Sequence, residues 1–84
     1  MKEQANIDLF RIYTGATFAA LYEVFPLGRV TTAAELVDRL GLANDPVART
    51  RHLAIVESAW QWLKDTGYLQ QDPTTRALNL TPRS

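Results

Sequence analysis

Cysteine is missing from all 84 residues. No disulfide can form, and a small secreted domain normally depends on several, so the chain reads as cytoplasmic. A thiolate nucleophile and a cysteine zinc cage are excluded as well. Histidine occurs once, as His52, which is too little for a histidine-rich metal site. Neither metal nor cofactor is expected. The only serines are Ser58 and Ser84. Ser58 is six residues from His52 and points to another side of a shared helix, so the two do not form a nucleophile–base pair. The glycines Gly15, Gly28, Gly41 and Gly67 are scattered and make no phosphate cradle. Together these absences argue against an enzyme and against a small-molecule substrate. No run of about 18 apolar residues is present, so no membrane span or membrane partner is expected. The opening MKEQANID lacks the apolar segment of a signal peptide. A charge excess of one sign is missing too: Lys and Arg number 9, Asp and Glu 9. Any nucleic-acid binding must therefore come from local clustering rather than overall charge.

Hydrophobic residues make up 46% of the chain and charged residues 21%, a balance that supports a packed core rather than disorder. The length fits one domain, with no repeat or linker, and a domain of this size has a thin stability margin. The first helix is predicted over Ile7 to Phe25, capped by Asn6 and stopped by Pro26. Its apolar face is expected to be Ile7, Phe10, Thr14, Phe18, Leu21 and Phe25, spaced at three- and four-residue steps. A link over Leu27 to Thr31 follows, in which Arg29 and Val30 suggest a minimal strand. Thr32-Ala-Ala-Glu35 is a capping box. It opens a helix with Leu36, Val37 and Leu40 on one side, closed by Gly41. Asp45-Pro46 starts a third helix, expected to reach Thr66, with Gly67 ending it and a kink possible near Thr50. Tyr68-Leu69-Gln70 and Ala77-Leu78-Asn79-Leu80 read as two strands joined by the turn over residues 71–76, with Leu69, Leu78 and Leu80 facing the helices.

That order of elements resembles a winged helix-turn-helix domain. The resemblance is carried by Thr32-Ala-Ala-Glu-Leu-Val-Asp-Arg-Leu-Gly-Leu42, by Trp60-Gln-Trp-Leu-Lys-Asp-Thr-Gly-Tyr-Leu69 and by Leu78-Asn-Leu-Thr81, and it spans nearly the whole chain. The implied fold is mainly α with a small β-hairpin, a three-helix winged helix-turn-helix. The implied function is a small DNA-binding protein, a transcriptional regulator acting as a dimer on double-stranded DNA. Its third helix would enter the major groove, and its hairpin, the wing, would lie beside a phosphate backbone. The residues expected at DNA are Arg49, Thr50, Arg51, Ser58, Gln61, Thr74, Thr75, Arg76 and Arg83. Residues 46–56 hold Arg49 and Arg51 without an acid, and the chain after Asp72 is likewise acid-free. Aligned back from Gly67, however, the usual base-reading positions fall on Glu57, Ser58, Gln61 and Trp62, and a glutamate there repels phosphate.

An apolar excess suggests an alternative. Leu9, Ile12, Ala16 and Ala19 form a further stripe on the first helix. Ile55 and Trp62 lie at the edge of the third helix's apolar arc. These six residues are the expected homodimer or partner interface. In the alternative reading the winged helix is a protein–protein interaction module that does not bind DNA.

Overall fold

The computed structural model describes residues 2–25, 28 and 30–82, with side chains from residue 6 onward. Three helices, α1 (Lys2–Val24), α2 (Ala33–Leu40) and α3 (Pro46–Asp65), precede a two-stranded antiparallel hairpin of β1 (Leu69–Gln71) and β2 (Leu78–Leu80). The chain is thus mainly helical with a small hairpin, an arrangement compatible with a winged helix.

Local chemistry sets most of the boundaries. The Thr32 hydroxyl accepts the Glu35 amide at 3.1 Å and begins α2. The capping box is only half formed, because the Glu35 carboxylate accepts from the Thr31 hydroxyl at 3.4 Å. Gly41 ends α2 in the left-handed region, φ 64°, with its amide donating to the Val37 carbonyl. That conformation is nearly free for glycine and costly for other residues. The Asp45 carboxylate caps α3 by accepting the Ala48 amide at 2.8 Å, and Pro46 fills the first helical position. At Thr50, where a kink was considered, the hydroxyl donates to the Pro46 carbonyl at 3.0 Å and α3 continues without interruption to Asp65.

The first helix departs from expectation in two ways. It begins at Lys2, so Asn6 lies inside it rather than at its cap. Lys2, Glu3, Gln4 and Ala5 are favourable helix formers and carry the helix back beyond the first apolar residue. Its packed face also differs. Tyr13, Thr17 and Leu21 are buried, with Leu9, Ala16 and Phe18 packed beside them, whereas Ile7 and Phe25 are exposed. Pro26, the expected helix stop, lies outside the described residues. So do Leu27 and Arg29 of the expected link, and Val30 is in no strand.

The core has two clusters. Tyr13, Leu36, Val37 and Val56 join α1, α2 and α3. Leu21, Leu63, Leu69 and Leu78 join α1, α3 and the hairpin. Trp60 packs against both. Burying each leucine of the second cluster contributes about 1.5–3 kcal/mol, which is how a three-residue ladder stays attached. The register pairs Leu69 with Leu80 and Gln71 with Leu78. The first strand therefore starts one residue later than expected, and Tyr68 contributes only its carbonyl, accepting the Thr81 amide at 3.2 Å. Leu69 and Leu78 are buried, and Leu80 packs half-buried against them.

Candidate nucleic-acid interface

Helical geometry divides α3 into two sides. His52, Val56, Ala59 and Leu63 face the core. Val47, Thr50, Arg51 and Ala54 are exposed on the opposite side. Val47 is 81% accessible despite being wholly apolar. No acid belongs to this outward face over the first half of the helix. Asp45, just before it, is occupied as the N-cap. Glu57 is exposed one turn beyond Ala54 and bounds the face.

The arginines differ in how free they are. Arg49 forms a two-pronged pair with Asp38 of α2, Nε to Oδ1 at 3.1 Å and Nη2 to Oδ2 at 3.2 Å. The Arg49 hydrogen bond and charge hold the Asp38 carboxyl below its ordinary range, and Asp38 in turn raises Arg49. Arg49 is therefore paired with α2 rather than free on the outward face. Arg51 donates through Nε to Asn6 Oδ1 at 3.0 Å, and its Nη2 reaches the same oxygen. A neutral amide leaves the positive charge of Arg51 uncompensated. Arg76 has no side-chain partner among the described residues. Its backbone is left-handed at φ 62°, and its carbonyl accepts from Gln71 Nε2 at 3.2 Å.

The hairpin turn is built on Asp72. One carboxylate oxygen accepts the amides of Thr74 and Thr75 at 2.7 and 3.0 Å, and these bonds hold its pKa below the usual carboxylate value. The two threonine amides are thereby used internally, and the Thr75 hydroxyl accepts from the Ala77 amide at 3.3 Å. Thr74 and Arg76 remain the outward-facing donors of the turn. Ser58 lies at the seam between α1 and α3, beside Asn6, Phe10 and Arg51. Gln61 donates to Asp65 at 2.9 Å. Arg83 is outside the described residues. Arg49, Thr50 and Arg51 follow one another at steps of about 100° around α3, so Arg49 turns to Asp38 of α2, Arg51 turns to Asn6 of α1 and Thr50 lies between them, while Ser58 and Gln61 lie further along the helix. Val47 and Ala54 were missed by a reading that followed charge and hydrogen-bond donors alone.

The six residues of the expected interface do not share one surface. Leu9, Ala16 and Ile55 pack against the upper core cluster. Ile12, Ala19 and Trp62 are exposed. Trp62 is 49% accessible and meets Phe10 edge-on, with ring centroids 5.8 Å apart.

Among the described residues no group of three or more metal-ligating side chains converges, and no helix is long and apolar enough to cross a membrane. In comparisons with known proteins, no family model, curated protein or solved structure matches this chain.

Proposed function

We propose that this chain is a winged-helix DNA-binding module and a transcriptional regulator, with the first half of α3 in the major groove and the β1–β2 turn against the phosphate backbone. The reading rests on the acid-free outward face of Val47, Thr50, Arg51 and Ala54. A major groove admits one α-helix, and its thymine methyls suit small apolar contacts while its purine edges and phosphates suit arginine. An exposed valine in the first turn of α3 has no packing role, and a thymine methyl gives it one. Arg76 adds a positive charge on the turn that forms no ion pair among the described residues. A dimer would place two such faces on a near-palindromic site.

The test is fluorescence anisotropy with a labelled duplex of about 20 base pairs at about 50 and 200 mM salt. Binding is expected at the lower salt and should weaken steeply at the higher. Arg51→Ala and Arg76→Gly should each weaken binding to all sequences and lower the salt slope by about 1. Glycine suits the left-handed backbone at position 76, so Arg76→Gly separates loss of charge from loss of fold. Absence of binding at the lower salt overturns the proposal.

A second reading, the protein–protein interaction module, is favoured by the exposed side chains of Ile7, Ile12, Tyr22, Phe25 and Trp62. It expects no DNA affinity at either salt, together with concentration-dependent self- or hetero-association in sedimentation.

A further inference from the structure

Away from the outward face of α3, the second half of α1, the end of α3 and the hairpin enclose a groove of about 630 Å³. Two aromatic pairs frame it. Tyr22 and Phe25, from the end of α1, stack with centroids 6.4 Å apart and planes 16° from parallel. Trp62 and Tyr68, from the end of α3 and the approach to β1, lie 6.5 Å apart at 31°. Phe18 also lines the groove, and none of the described lining residues is charged. Among the described residues one buried polar atom of the wall has no hydrogen-bond partner, the Thr14 hydroxyl.

We propose that this groove is a binding site for a small, uncharged, planar aromatic ligand carrying one hydrogen-bonding group, which meets the Thr14 hydroxyl. Four observations set that chemistry. The volume falls within the range of about 300–1,000 Å³ usual for small-molecule sites. Aromatic side chains on two walls favour an aromatic ligand. A lining without charge offers a charged ligand nothing in exchange for its lost hydration. An unpaired buried hydroxyl is costly, and a ligand atom at Thr14 removes that cost. An extended peptide fits less well, because every one of its amides and carbonyls needs a partner. The described side chains of the wall offer Thr14 and the polar tips of Tyr22, Trp62 and Tyr68, fewer groups than a peptide backbone needs, since Thr81 already donates to the Gly67 carbonyl. The site stands independently of the DNA-binding reading, because none of the described residues assigned to DNA lines it.

The chain has two tryptophans, which gives the experiment an internal control. The Trp60 indole N–H donates to the Thr17 hydroxyl at 2.8 Å inside the fold, whereas Trp62 lines the groove. The two indole N–H signals are followed by ¹H–¹⁵N NMR while 2-naphthol is added to the full chain. The expected result is a saturable shift of Trp62 with Trp60 nearly unmoved, and a Kd on the order of 100 μM for so small a ligand. Naphthalene-2-sulfonate should bind at least about tenfold more weakly because of its charge. Thr14→Val should weaken 2-naphthol about threefold to tenfold and leave naphthalene unaffected. Tyr22 is 74% exposed, so Tyr22→Arg should abolish binding without disturbing the core. The proposal is overturned by a lack of saturation, by equal binding of the sulfonate, or by binding undiminished in Thr14→Val or Tyr22→Arg. It is also overturned if the Trp62 signal moves with protein concentration alone and Tyr22→Arg suppresses that movement. The groove would then be an interface between copies of the chain.

Discussion

Tyr13 and His52 are 39 residues apart in the chain, yet the tyrosine hydroxyl lies 2.7 Å from the imidazole Nδ1 inside the core. This one hydrogen bond ties α1 to α3, with Nδ1 accepting from the phenol or donating to it according to the imidazole tautomer. Burial, followed by the charge of Arg51, holds His52 below its ordinary pKa of 6.5. The unfolded chain thus binds the proton more readily than the folded one. The stabilisation from neutral His52 is complete above about pH 6.5 and is lost as pH falls through the lower folded value. Urea midpoints should accordingly drop between pH 7 and pH 5, and the drop should be smaller in His52→Gln. Identical pH profiles for the two proteins would remove His52 as the source. Burial also raises the Tyr13 pKa above 10.0, so the phenol stays protonated throughout this range.

The helices differ in how openly the sequence announced them. Caps are local, and those at Thr32, Gly41, Asp45 and Pro46 were legible because each depends on residues within four positions. The hairpin was legible for the same reason, apart from a one-residue shift of its first strand and a second strand that begins at Leu78 rather than Ala77. The facing of α1 was not. Its buried side includes Tyr13 and Thr17, whose hydroxyls are satisfied by His52 and by the Trp60 indole. Periodicity scores those two positions as polar because it cannot see partners on another helix. The aromatic groove was hidden in the same way, since Phe18, Tyr22, Trp62 and Tyr68 meet only through the packing of α1, α3 and the hairpin. Gly15 lies mid-helix and exposed in α1, and an added Cβ there meets nothing within 4 Å. Gly15→Ala should therefore stabilise the chain by about 0.5–1 kcal/mol. The reading is a higher denaturation midpoint at unchanged denaturant slope. A loss of stability would indicate that α1 needs the glycine for a contact with another chain.

For the molecule as a whole, the proposed DNA binding implies, with balanced charge, an affinity sensitive to single carboxylates. Asp38 lies exposed on α2 and occupies the fork of Arg49. Asp38→Asn removes one negative charge beside α3 and releases that guanidinium. Duplex affinity at low salt should rise by about threefold to tenfold, with a steeper salt dependence. Folding stability should change little, because exposed ion pairs contribute weakly. Unchanged affinity would place the DNA-facing surface away from Arg49.

Trp60 has a further consequence. Its indole touches the nucleus around Tyr13 and Val37 on one side and the nucleus around Leu63 and Leu78 on the other. Two hydrophobic nuclei in so short a chain would otherwise tend to open one at a time and expose half-folded forms that aggregate. A single ring shared by both turns the loss of either into damage to the other. That shared ring welds helices and hairpin into one cooperative unit.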